Sequence, residues 1–335
     1  PTVYDMAAYP KTLSGKTVAD YVNTHTDLSD ELYREGKLVS DNYKNILRSQ
    51  TNAAAIPADV TVRYGVTVRR ANLRNLPTGE GLFFYASDRN FDALQETALD
   101  PGEAVAILHT STNGYFYYVQ AYNYRGWLSK FDVAETDRST WLRYAEPKNF
   151  LTVVAKDYTL KADGAQVLFQ QGARLQLADK KASAYTVKVP VRTKEGKLQE
   201  EKVVLAANAS LHEGYLPYTT NNIIRSAFKF YDSVYGWGGL QQSVDCSSFI
   251  SNAYRTVGIF LPRNADEQET SAGIHKKMGN MNSAQRANVI KGLTPGSTLH
   301  MDGHVMLYLG SSNEIPYAIH SLGSHYTGGT RHSVM

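Results

Sequence analysis

The run Tyr235-Gly236-Trp237-Gly238-Gly239, followed six residues later by Asp245-Cys246-Ser247-Ser248, decides how this chain is read. Phe249, Ile250, Ala253, Tyr254 and Val257 come next at helical spacing, and Gly258 supplies a stop, so a helix is expected to open at the cysteine. Unpaired N–H groups and the macrodipole at such an end favour an anion. Cys246 is the lone cysteine of 335 residues, so its thiol has no internal disulfide partner. An ordinary thiol, with a pKa near about 8.5, is only a few per cent thiolate at neutral pH. Lowering that value by about two units takes roughly 2.7 kcal/mol of anion stabilisation, of which a helix end supplies at most about 2 kcal/mol. A nucleophilic Cys246 therefore requires a histidine partner. The bland alternative is a buried cysteine acting as a small hydrophobe.

Nine histidines compete for that role. His304 opens His304-Val305-Met306-Leu307-Tyr308-Leu309-Gly310, apolar on both faces as in a central strand. His320 lies in Tyr317-Ala318-Ile319-His320-Ser321, a second short strand. If the two strands pair as a hairpin, the rings of His304 and His320 can share a face, and His320 can fix the orientation of His304. A hydrogen-bonded core histidine is the competing reading of His320. His300 is the rival base, but it sits in Ser297-Thr298-Leu299-His300, read as a loop, which favours His304.

Outward from this centre, residues 215–335 read as α+β. Asn221 can cap a helix with an apolar stripe of Ile224, Ala227, Phe228 and Tyr231. Upstream, residues 59–140 break into short strands, clearest at 105–108, 115–119 and 126–128. A second block, 141–214, repeats the rhythm: Gly102-Glu103-Ala104-Val105-Ala106-Ile107 has its counterpart in Gly172-Ala173-Arg174-Leu175-Gln176-Leu177, and Thr193-Lys194-Glu195-Gly196-Lys197 predicts a hairpin. Two consecutive small β-barrels are expected. Residues 1–58 are polar with helical pieces, a capped helix at 40–48 and a linker at 53–57, and are expected to wrap around the other domains.

The length calls for two to four domains. A net charge of +3 without long charge runs is no nucleic-acid footprint, and no apolar run approaches the ~18 residues of a membrane span. No histidine or cysteine set has zinc spacing, so neither a metal nor a cofactor is expected. The 23 tyrosines suit sheet surfaces and ligand clefts.

Tyr-x-Trp-Gly-Gly, Asp-Cys-Ser-Ser, Leu261-Pro262-Arg263 with Gln268, and His-Val-x-x-Tyr-x-Gly, in that order, resemble the NlpC/P60 family of cell-wall peptidases over residues 215–335. The two β-blocks, with Arg-Arg-Ala-Asn-Leu-Arg at 69–74, resemble bacterial SH3 domains. The whole arrangement is similar to γ-D-glutamyl-L-diamino-acid endopeptidases. The resemblance implies an α+β multidomain fold: an N-terminal helical or irregular segment, two SH3-like barrels and a papain-like half-barrel. It implies Cys246, His304 and His320 as triad and cleavage after D-glutamate in stem peptides such as L-Ala-γ-D-Glu-diaminopimelate. Such relatives favour short stems with a free L-Ala amine, with the first SH3 domain walling the cleft. Tyr235, Trp237, Asp245 and Ser247 occupy pocket-lining motif positions, with Arg263 and Asn264 beside them. One SH3 tyrosine should join from among Tyr117, Tyr118 and Tyr124, while at least two of these pack in the SH3 core. Ser248 stands where many members have Gly, and Asn264-Ala265 where many have Asp-Ser.

On this reading, Cys246 attacks the γ-carbonyl, the Cys246 N–H and the Tyr235 hydroxyl hold the oxyanion, and His304 serves as acid and base. Asp245 would pair with the free amine of L-Ala. The expected partner is peptidoglycan stem peptide, the chain acting as a monomer, and the expected setting is periplasmic, secreted or wall-associated after loss of a signal peptide, a cytoplasmic recycling role being open. Two alternatives stand: a non-catalytic cell-wall binding protein, and an acyltransferase or amidase on the same fold. Met335 is expected within the last strand.

Overall fold

A computed structural model gives the architecture and describes residues 3–24 and 28–334; Met335 lies outside them. The first β unit is a seven-stranded antiparallel sheet with strand order Val133–Thr136, Arg63–Thr67, Ala104–Thr110, Phe116–Gln120, Arg125–Ser129, Ala71–Arg74, Gln95–Leu99. Its curled faces enclose Val105, Ile107, Val119 and Leu128 on one side, and Trp127, Tyr118 and Trp141 on the other. The second β unit carries a five-stranded sheet and the hairpin Asp157–Ala162/Ala165–Gln170, around Leu151, Phe169, Leu175 and Val187. The expected turn at 193–197 joins strands Ala184–Arg192 and Leu198–Ala206, with Gly196 at φ +84°.

The N-terminal segment has no core of its own. Strand Thr12–Ser14 pairs antiparallel with Asp59–Thr61, and Met6, Tyr9, Val18 and Val22 pack into the first unit's Trp127–Trp141 cluster. Leu28, Leu32, Val39 and Leu47 close over Leu76, Leu82 and Leu94. The capped helix appears as Asp41–Ser49, with Ser40 accepting from the Tyr43 N–H; the linker contains the short 3-10 helix Ala53–Ala55.

The C-terminal part packs helix Thr220–Ala227 and helix Cys246–Arg255 against a three-stranded sheet, Thr298–Met301, His304–Ser312 and Ile315–Ile319. Its core joins Ile223, Ala227, Phe230, Phe249, Ile250, Ala253, Val305 and Leu307. The first of these helices departs from expectation. Thr219, not Asn221, is the cap, and the helix yields to a 3-10 turn at Phe228–Phe230. The buried positions are thus Ile223, Ala227 and Phe230, while Phe228 and Tyr231 face out. The buried set keeps the i, i+4, i+7 spacing of one helical face, but it starts from Ile223, one position before the Ile224 of the expected stripe.

Candidate active site

Helix Cys246–Arg255 begins at the cysteine because Asp245 caps it. The Asp245 carboxylate accepts from the Ser248 N–H at 2.9 Å, and Ser248 Oγ accepts from the Asp245 N–H at 2.9 Å, a reciprocal capping box. Ser248, which departs from the glycine of the resemblance, is therefore used rather than merely accommodated. The preceding loop turns through Gly238 and Gly239 at φ +55° and +80°. A Cβ there would lie 2.6 Å from the Gln95 side chain and 2.7 Å from Ala98, so glycine is what lets this loop touch the first β unit.

Cys246 is 8% exposed. The backbone N–H groups of Ser247 and of Val305, the residue after His304, lie on the side of the sulfur where they favour its anion. Burial, and after it the Asp245 carboxylate, push the thiol up, while those two backbone N–H groups pull it down. The net direction is upward, contrary to the resting anion that the sequence led us to expect. The water-excluding wall of Phe249, Val305 and Leu307 costs the thiolate more than the helix start returns.

His304 Nε2 and His320 Nδ1 are 2.8 Å apart. Strands His304–Ser312 and Ile315–Ile319 pair as the expected hairpin, with Leu307 opposite Ile319; His320 stands one residue past the strand end instead of inside it. Burial, and for His304 also the neighbouring ring, push both imidazoles below the ordinary histidine value. The two loops are laced together: the Val244 carbonyl accepts from the Gly236 N–H at 2.9 Å and from Ser321 Oγ at 2.9 Å. His300 belongs to strand Thr298–Met301, not to a loop, pairs with Val305 and approaches Thr298 Oγ1 at 3.0 Å. Its alternation of buried and exposed residues is too weak to read as a strand locally; the sheet edge makes it one.

Asp245 is 4% exposed and its acceptor capacity is spent. It accepts from Arg263 Nη2 at 2.5 Å, from Ser248 Oγ at 2.8 Å, from the Gly238 N–H at 3.1 Å and from Ser247 Oγ at 3.3 Å. Burial works to raise this carboxyl, but Arg263 and the Ser248 donors outweigh it and hold it below the usual carboxylate range. Ser247 is likewise committed, accepting from Arg263 Nη1 at 2.8 Å. Asp245 and Ser247 thus build the site from behind instead of facing a ligand.

Arg263 also reaches across to the first β unit, donating to Thr97 Oγ1 at 2.7 Å and to the Glu96 carbonyl at 3.0 Å. There the Tyr124 hydroxyl donates to the Glu96 carboxylate, with the exposed Asn264 amide alongside. Burial and then Glu96 push the Tyr124 phenol up. Of the three tyrosines considered, Tyr124 alone is brought here. Tyr117 donates to Glu135 at 2.8 Å under Arg63, and Tyr118 is in the core, donating to the Tyr21 carbonyl at 2.8 Å. Glu96 was not anticipated; one glutamate in the strand Gln-Glu-Thr-Ala-Leu carries no motif, and only the folded interface gives it a place.

Tyr235 lies close enough to Cys246 and Asp245 that their charges, after burial, push its phenol up. Trp237 donates from Nε1 to the Asp92 carbonyl at 3.1 Å and borders an apolar recess of ≈ 240 Å³ with Phe84, Tyr85, Phe91 and Ala93. Among the described residues, no group of three or more His, Cys, Asp or Glu side chains is placed to hold a metal ion, and no helix is long and apolar enough to cross a membrane.

Two family models match the chain. Residues 82–129 match the SH3 domain of SH3b1 type, within the first β unit, and residues 232–326 match the NlpC/P60 family. No curated protein matches the sequence. A solved structure described as a novel NlpC/P60 endopeptidase from Photobacterium damselae subsp. piscicida is similar at 22% identity, over 91% of this chain and 70% of that one, with a TM-score of 0.73. An NlpC/P60 family protein from Bacillus cereus ATCC 10987 is similar at 15% identity, over 77% of this chain and 94% of that one, with a TM-score of 0.54. At such identities the likeness is one of fold. Of the expected pair of SH3 domains, the first carries the match, and the second β unit has a sheet and core of its own. The chain thus carries an SH3-type β domain ahead of a C-terminal domain of the NlpC/P60 hydrolase family.

Proposed function

We propose that the protein is a cysteine peptidase of the cell envelope that cleaves the γ-D-Glu–L-diamino-acid bond of peptidoglycan stem peptides, with Cys246, His304 and His320 as its triad. The observation that carries this reading is the hydrogen-bonded His304–His320 pair at the start of the strand His304–Ser312, whose Val305 and Leu307 share a buried cluster with Cys246 and Phe249. With the thiol pushed up and both imidazoles pushed down, the resting pair is neutral, so His304 acts first as a base, taking the Cys246 proton as the sulfur attacks the γ-carbonyl. The Cys246 N–H at the helix start and the Tyr235 hydroxyl then face the oxyanion. His304 returns the proton to the leaving amine and afterwards activates water against the thioester.

Recognition of a free L-Ala amine moves from Asp245 to Glu96. The Asp245 carboxylate is consumed by Arg263, whereas Glu96 is half-buried, accepts from the Tyr124 hydroxyl and has its carbonyl on Arg263. A charge-assisted bond from an ammonium to this carboxylate is worth about 1.5–3 kcal/mol. The domain boundaries that fit this reading are 1–58, 59–140, 141–214 and 215–335.

The test is mass spectrometry of defined stem peptides incubated with wild type and Cys246→Ala. Product with wild type alone supports the reading; product in both samples, or in neither, sinks it. Pairing L-Ala-γ-D-Glu-diaminopimelate with the same stem still joined to its sugar tests the amine requirement.

A further inference from the structure

Gln170 ends strand Ala165–Gln170 of the second β unit, is 3% exposed, and bonds to the first β unit, the nucleophile helix and the loop before it. Its Oε1 accepts from Asn252 Nδ2 at 2.9 Å and from Arg70 Nη2 at 3.1 Å. Its Nε2 donates to the Ser243 carbonyl at 3.1 Å and to the Gln242 carbonyl at 3.4 Å. Its main-chain N–H donates to Asp100 Oδ1 at 3.0 Å. Arg70 and Asp100 belong to the first β unit, Asn252 to the nucleophile helix, and Gln242–Ser243 to the loop that delivers Asp245 and Cys246.

That loop has internal hydrogen bonds, among them Gly239 N–H to the Gly236 carbonyl at 3.0 Å and Ser243 N–H to the Leu240 carbonyl at 3.1 Å, but its backbone is strained. Besides Gly238 and Gly239, Gln241 and Gln242 sit at φ +56° and +53°, left-handed values that side chains other than glycine adopt only where surroundings impose them. Two consecutive carbonyls of the strained stretch end on the Gln170 amide. We propose that Gln170 is a positioning residue, fixing the 242–245 loop so that Cys246 is held at the start of its helix. The second β unit is then part of the catalytic scaffold and not only an appended module.

Gln171 provides an internal comparison. It is fully buried and donates to the Ser226 carbonyl at 3.0 Å, in helix Thr220–Ala227, without a bond to the loop. The experiment compares stem-peptide turnover and thermal midpoints for wild type, Gln170→Glu, Gln170→Ala and Gln171→Ala. Gln170→Glu keeps both acceptor contacts and removes the N–H donation to the loop. Both Gln170 variants are expected to lose about tenfold to a hundredfold in kcat with KM within about twofold. Gln171→Ala is expected to lower the midpoint while kcat stays within about twofold of wild type. Wild-type kcat in Gln170→Glu, or kcat losses in all three that merely follow the midpoint, overturns the proposal; should Gln170→Ala not fold, Gln170→Glu decides.

The inference rests on Cys246 as the nucleophile, so its failure is separated from that of the peptidase reading by iodoacetamide. A wild type that cleaves no stem peptide sinks the peptidase reading alone, and Gln170 is then judged on alkylation of the lone cysteine at near-neutral pH. Gln170→Glu is expected to react about threefold or more slowly than wild type, because a drifting loop displaces the helix start whose N–H groups and dipole favour the sulfur's anion. Equal rates overturn the proposal.

Discussion

At the scale of single residues, the proposed nucleophile and base are both neutral at rest, the thiol pushed up and the imidazoles pushed down, and the expected pH behaviour follows. Both imidazoles are held below the ordinary value of 6.5, so His304 keeps its base function to lower pH than a free histidine would. The acid limb of kcat/KM is expected below 6.5, measured on a free-amine stem peptide; a midpoint above 6.5 contradicts the direction. Replacing His320 by alanine leaves Nε2 of His304 without its partner at 2.8 Å and should lower kcat about a hundredfold with little change in KM. Glu96→Gln, by contrast, should raise KM about tenfold or more for stems with a free amine and leave N-acetylated stems unchanged, as steady-state kinetics on the two substrates would show.

At the scale of elements, the nucleophile helix is held by its cap and by one buried ion pair. Arg263 and Asp245 are both almost wholly buried, and removing one partner strands the other's charge. Arg263→Ala is expected to cost about 3–5 kcal/mol in denaturant unfolding. The Asp245 carboxyl is depressed in the folded protein, so its stabilisation is present above the unfolded value of 3.8 and is lost as pH falls through the lower folded one. Unfolding midpoints of wild type should therefore drop steeply in acid, and those of Asp245→Asn less so. Ser248→Gly removes one half of the capping box and should cost about 0.5–2 kcal/mol.

At the scale of the whole molecule, the β units and the catalytic part are joined by buried charge. Arg255, on the nucleophile helix, reaches Glu103 at 2.7 Å and Asp100 at 3.3 Å, and Asp100 also holds Arg70 at 3.0 Å. Units tied this way should unfold together. A single calorimetric transition is expected for wild type, and Asp100→Ala, which leaves two buried guanidinium groups short of a partner, should lower its midpoint or split it in two.

By itself the sequence determined the order of the parts, the β-rich character of 59–214, the helix that opens on Cys246, and the hairpin that brings His304 to His320. Each is written in local spacing, glycine turns or short motifs, and such signals survive without knowledge of neighbours. What only the tertiary structure decided lies at the joins. Asp245 was read as a ligand for substrate because its motif position is visible and its partner Arg263, 18 residues on, is not visibly paired with it. Tyr124 was indistinguishable from Tyr117 and Tyr118 until the first β unit docked, and Glu96 and Gln170 carry no pattern at all. The physical reason is that burial and charge pairing are properties of surfaces brought together across the fold, as where Arg263 meets Asp245 from the C-terminal part and Thr97 from the first β unit.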